Sequence, residues 1–139
     1  MTRFLLRLIE RLRSPFAWIE AGELKRRLDH GEAVAVVDVR GPDEFIGPLG
    51  HIATSRNIPV AELESRLAEL AGLERGPIVL VCQTDKRSAT AARTLRAAGF
   101  TEVNVLRRGM EQWNEAGLSV EGGGAEATPK ASTARGSVV

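Results

Sequence analysis

The 139-residue chain holds one cysteine, no tyrosine and two histidines. A lone cysteine forms no intramolecular disulfide, and with only His30 and His51 beside it there is no multi-cysteine zinc site, so no metal is expected. The formal net charge is +1. Basic residues are interspersed with acids, as in "AELESRLAELAGLER", and no aromatics interleave with a basic stripe, so nucleic acid is not an expected partner. The longest apolar runs, "AVAVV" and "IVLVC", are strand-length. A membrane-crossing helix needs about 20 apolar residues. A cytoplasmic location is the default reading.

What is present divides the chain into three parts: residues 1–15, 16–120 and 121–139. In the first, "MTRFLLRLIERLRSP" wound at helical pitch places Phe4, Leu5, Leu8, Ile9 and Leu12 on one face and Arg7, Glu10, Arg11 and Arg13 elsewhere. Three readings stay open for it: a helix packed on the domain, a membrane-surface or partner-binding helix, and an organelle transit peptide. The last part, "EGGGAEATPKASTARGSVV", lacks the apolar surface to fold and reads as a disordered tail.

Between them, strand and helix patterns alternate. "AVAVVDVR", "PIVLVC" and "EVNVLRRG" are strand-like, the first continuous and rich in β-branched valine as in a sheet buried on both faces. "AGELKRRLDHGE", "AELESRLAELAGLERG", "SATAARTLRAAGF" and "MEQWNEAG" are helix-like, with Gly31 and Gly99 as stops. "RNIPV" has room for a very short strand. Phe45 and Trp113 are expected in the core. The alternation predicts an α/β domain, a parallel sheet with helices on both faces. Ligands collect at the carboxyl ends of such strands. Three chemically interesting spots fall there: Asp38 with Arg40, Cys82, and Arg107 with Arg108 and Gly109.

Cys82 ends a strand and is followed by Gln83, Thr84, Asp85, Lys86, Arg87 and Ser88, where a helix begins. Orphan amides and the helix dipole at such a turn favour an anion, and Lys86 and Arg87 add positive charge. All of these stabilise thiolate over thiol and are expected to leave an ionised, accessible sulfur. No histidine stands nearby in the sequence to act as a base, which argues against a papain-like hydrolase.

The segments "VVDVRGPDEF", "GHIATSRNIP", "VCQTDKRSATAARTL" and "LRRGMEQW" resemble, in order and spacing, the successive motifs of the rhodanese-like sulfurtransferases. The resemblance implies a three-layer sandwich, a central parallel sheet of about five strands with helices on both faces. It also implies a cysteine that takes sulfane sulfur from a donor such as thiosulfate, carries it as a persulfide and passes it to a thiol or cyanide, with no cofactor. On that likeness Cys82 is the nucleophile and Gln83–Arg87 complete a six-residue substrate loop, with Arg87 as anion anchor and Ser88 starting the helix. Asp38, Arg40 and Arg108 support it. Related phosphatases and arsenate reductases need one more residue between cysteine and arginine. Here Ser88 occupies that arginine's place. The left-handed turn that a loop glycine makes in many members falls to Asp85, a residue type that tolerates it. An inward Asp85 carboxylate opposes an anionic substrate, and Gln83 stands where a basic residue is frequent. Weak thiosulfate turnover, or another donor, is therefore expected. The alternative is a catalytically weak binding or regulatory module tethered by residues 1–13 to a membrane or protein.

Overall fold

The computed structural model describes residues 2–6 and 14–123. Five strands are each followed by helical or turn structure. They are β1 (Ala17–Ile19), β2 (Ala35–Asp38), β3 (Arg56–Asn57), β4 (Pro77–Val81) and β5 (Glu102–Leu106). The helices are α1 (Ala21–Asp29), α2 (Pro42–Phe45), α3 (Lys86–Ala97) and α4 (Gly109–Glu115). Every pairing is parallel and the order across the sheet is β1-β5-β4-β2-β3.

Period-two alternation sorts the strand side chains onto two faces. Val37, Ile78, Leu80, Val103 and Val105 join Ala91, Ala92 and Leu95 of α3 on one side. Val36, Val79, Val81 and Leu106 pack with Ala21 and Leu24 of α1 and with Met110 and Trp113 of α4 on the other. This is the expected three-layer sandwich. Cys82 continues the Ile78–Leu80 side, so it belongs to the α3 layer.

Four expectations change. The helix read in "AELESRLAELAGLERG" is instead two 3₁₀ segments, Val60–Glu62 and Glu64–Leu70, interrupted at Arg66 (φ −115°, ψ 18°). The tighter winding still buries Leu63 and Leu70, while Arg66 is held by Glu62 and Glu69. Glu121, placed in the expected tail, instead exchanges backbone hydrogen bonds of 2.8 and 2.9 Å with His51. That contact is made by main chain, which composition does not report. Phe45 is half-buried and stacks on His51 with ring centroids 3.7 Å apart. Asp85 sits in a bend with φ −150° and ψ −8°, not left-handed.

In the N-terminal part, residues 3–6 form one helical turn with Phe4 77 % exposed. The rest of the amphipathic stretch, with Leu8, Ile9 and Leu12, lies outside the described residues, as does the tail beyond Gly123. No helix among the described residues is long and apolar enough to cross a membrane.

At the carboxyl end of β2 a buried ion pair closes the sheet. Arg40 donates through Nε and Nη2 to the two Asp38 oxygens at 2.9 and 2.7 Å, and also to the Gly50 carbonyl at 2.7 Å. Both residues are 1 % exposed. Removing one partner strands an uncompensated buried charge. Arg40→Ala is therefore expected to lower unfolding free energy by about 3–5 kcal/mol, read from the urea midpoint, whereas a loss below about 1 kcal/mol would show the pair to behave as an exposed one.

Candidate active site

β2 and β4 run in register so that Asp38 lies beside Val81, and Val39 donates to the Val81 carbonyl at 2.8 Å. Cys82 therefore emerges in the middle of the sheet, at the end where strands stop and helices begin. The chain turns at once into α3, whose first residue is Lys86.

The turn is shaped by a glycine that is distant in sequence. A Cβ built on Gly109 would stand 2.1 Å from the Cys82 carbonyl oxygen, 2.5 Å from that of Thr84 and 2.8 Å from that of Gln83. Three successive carbonyls thus converge on one α-carbon. The amides of Met110 and Glu111 donate to the Cys82 and Gln83 oxygens at 2.9 and 3.1 Å. In a trans peptide the N–H points opposite to the carbonyl before it. The amides of Gln83, Thr84 and Asp85 must then face away from Gly109, toward the inside of the loop. Those of Lys86, Arg87 and Ser88 follow as the first-turn donors of α3. Among the described residues, no amide from Gln83 to Ser88 donates a hydrogen bond to a protein acceptor. The Ser88 hydroxyl is likewise buried without a partner. This concentration of spare donors, with the buried Ser88 hydroxyl among them, is suited to an anion.

Cys82 itself is 1 % exposed. This corrects the expectation of an open sulfur: the α3 layer covers it, and the strand alternation that places it there also buries it.

Arg87 is not a free anchor. Its two terminal nitrogens donate to Glu44 of α2 at 2.7 and 3.0 Å, a fork-to-fork pair. Glu44 also accepts from the Gly41 amide at 3.0 Å, which fixes it in the first turn of its helix. The Arg87 hydrogen bonds, then the Gly41 amide, hold the Glu44 carboxyl down to about 2. Glu44 in turn raises Arg87, with smaller contributions from Cys82 and Asp38. Glu44 was missed in the sequence, although its place three residues after Gly41 is a capping-box position.

The remaining candidates divide. Asp38 and Arg40 brace the wall, and Asn57 ties their carbonyls to β3 at 3.0 and 2.8 Å. Gln83 reaches outward to Glu111 at 2.8 Å. Thr84 and Lys86 are exposed. Arg108 does not bring its guanidinium to the loop, because Gln112 and Glu115 of its own helix hold it. Its contribution is backbone: at φ +59° it turns the chain so that Gly109 meets the loop. Arg107 bonds to Glu20 and lies over Trp18. His51 is a loop residue with Nδ1 on the Phe45 carbonyl at 2.8 Å. A cavity of about 730 Å³ opens at the opposite end of the strands, near Val34, Ala35 and Pro77, and none of Cys82–Ser88 lines it.

The Glu44–Arg87 pair carries a pH signature. An unfolded carboxyl takes its proton near 4.5 and the folded one near 2, so between those values the unfolded chain binds more protons and the pair's contribution to stability is lost as pH drops. With both side chains 38 % exposed, solvent screening limits the effect to about 1 kcal/mol. Glu44→Gln should therefore be less stable than wild type above pH 4.5, with the gap closing as pH falls toward 2. Urea titrations across that range check it; a gap that stays constant would assign the loss to packing.

The sequence profile of the Rhodanese-like domain matches residues 20–116. The chain is 44 % identical over 78 residues to the uncharacterized protein YqhL of Bacillus subtilis, 56 % of this chain and 59 % of that one. It is 45 % identical over 114 residues to the HTH-type transcriptional regulator Rv0324 of Mycobacterium tuberculosis, 81 % of this chain and 48 % of the regulator. The chain thus spans about half the length of these curated relatives. A thiosulfate sulfurtransferase from Pseudomonas aeruginosa superposes with a TM-score of 0.69 at 32 % identity, covering 84 % of this chain and 22 % of that one. With the profile spanning every strand from β2 to β5 and the whole cysteine loop, the chain belongs to the rhodanese-like domain family.

Proposed function

We propose that this protein is a sulfurtransferase that carries sulfane sulfur on Cys82. The observation that carries the reading is the inverted loop: carbonyls turned onto Gly109, spare amides turned inward, and the only thiol at its start. Such a field favours negative charge on the sulfur and on whatever bonds to it. With thiosulfate the Cys82 thiolate attacks the outer sulfur, the S–S bond breaks, and sulfite leaves with the electron pair. The persulfide anion then gives its terminal sulfur to cyanide, which departs as thiocyanate and restores the thiolate; a thiol acceptor would instead leave as a hydropersulfide. The similarity to the thiosulfate sulfurtransferase of Pseudomonas aeruginosa supports the same chemistry. No cofactor enters either step.

The test is mass spectrometry of the intact chain after incubation with sulfane donors. Wild type should gain one sulfur, about 32 Da, which cyanide removes, and Cys82→Ser should gain none. An unmodified wild-type chain with every donor tried would end the proposal.

A second reading is favoured by one surface observation. Phe4, Leu5 and Leu6 are exposed at the start of a stretch that also carries Arg3, Arg7, Arg11 and Arg13. Apolar side chains beside arginines suit an anionic lipid surface. The full chain is expected to float with phosphatidylglycerol vesicles and a chain beginning at Ser14 to stay behind; equal flotation would remove the membrane role.

A further inference from the structure

The charges around the loop bear on which donor can load Cys82, a point that rests on the sulfurtransferase reading above. A dianion such as thiosulfate needs cationic partners that are free to meet it. Arg87 is not free. Both of its terminal nitrogens are committed to Glu44, and that carboxyl, held down to about 2, stays ionised throughout the physiological range. The pair presents no net charge to an incoming ligand. Lys86 is the other cation of the loop, and Asp85 precedes it directly. On the α4 side Glu111 is fixed against the loop, its side chain bonded to Gln83 and its amide to the Gln83 carbonyl. Arg108, which would otherwise offset it, is turned to Gln112 and Glu115. Asp38 and Arg40 neutralise each other in the wall. The residues that surround the loop therefore bring more carboxylates than available cations. What they offer without net charge is the row of inward amides and the buried Ser88 hydroxyl, donors suited to one small anionic sulfur.

We infer that the site takes its sulfur from a hydropersulfide of low charge, R–S–SH, in preference to thiosulfate, with Glu111 and Asp85 as the residues that set the preference. In that step the Cys82 thiolate bonds to the outer sulfur, the inner S–S bond breaks, and R–S⁻ leaves with the pair. The proton stays on the new Cys82 persulfide until the loop's field and solvent remove it. The donor brings no charge of its own: the single negative charge starts on Cys82 and ends on the departing R–S⁻. With thiosulfate three negative charges have to share the same space.

The experiment is single-turnover loading of Cys82, followed by mass, with thiosulfate and with 2-hydroxyethyl hydropersulfide, whose organic group is uncharged. The hydropersulfide is expected to load at least about 100-fold faster. Raising salt should speed thiosulfate loading, since screening weakens like-charge repulsion, and affect the hydropersulfide little. Glu111→Gln, alone and with Asp85→Asn, should narrow the ratio between donors about tenfold. The salt series on wild type needs no variant, so the inference does not depend on either substitution folding. Thiosulfate loading as fast as the hydropersulfide, or thiosulfate loading that salt slows, would overturn the donor preference while leaving sulfur transfer in place. Failure of both donors to load Cys82 would overturn the sulfurtransferase reading and this inference together.

Discussion

The carbonyl oxygens of Cys82, Gln83 and Thr84 crowd the α-carbon of Gly109, at a separation that leaves no room for a side chain. A planar peptide cannot turn its oxygen one way without turning the next N–H the other. The approach therefore fixes the direction of the loop's amides, and with it the electrostatic character of the space in front of Cys82. The instruction is stored outside the loop. β5 pairs with β4, Arg108 bends the chain in a left-handed conformation, and α4 starts with Gly109 pressed against its neighbour. A loop shaped from outside needs no glycine of its own. That is why Gln83, Thr84 and Asp85 occupy it with Asp85 at φ −150° and no left-handed residue among them.

Two ion pairs flank this arrangement and do different work. Asp38 and Arg40 are sealed in the wall, where their desolvation is met by additional bonds to the Gly50 carbonyl and the Arg40 amide. They hold the loop that carries Gly50 and His51, and that loop in turn receives Glu121. Glu44 and Arg87 are half-exposed, so their attraction contributes little to stability. Their value is geometric: a forked pair ties α2 to the first turn of α3 and consumes the charge of the loop's arginine. One pair shapes the cradle and the other sets its net charge.

These distinctions separate what the sequence discloses from what it conceals. A β-branched run ending in cysteine, then a basic turn and an alanine-rich helix, announces its own geometry, and β4, Cys82 and α3 lie where that pattern implies. The Asp38–Arg40 spacing is equally local. Glu44 meets Arg87 across 43 residues only because the topology sets β2 beside β4, and no local pattern encodes that neighbour. Gly109 is placed by the sequence at a strand end beside Arg107 and Arg108, but its role there is not legible, since what it must avoid is backbone from another segment. The leucines of "AELESRLAELAGLERG" fit a helical stripe and pack as one, yet the winding is 3₁₀, a difference of one residue in hydrogen-bond span that side-chain periodicity barely registers. Arg108 is the converse case: its position is right and its side chain looks elsewhere.

A buried lone thiol also constrains the second half of the proposed cycle. With Cys82 the only cysteine of the chain, no resolving thiol waits within it, so the acceptor has to come to the loop. At 1 % exposure the unloaded sulfur is poorly placed to meet a bulky partner. Loading changes that, because a persulfide carries its reactive atom about 2 Å beyond the original sulfur. The transferable sulfur thus stands nearer the mouth than the atom that captured it. Small donors reach the inner position and larger thiols need reach only the outer one. Burial then favours capture from small molecules without closing delivery to larger ones, and the same recess shields the resting sulfur from oxidants too large to follow.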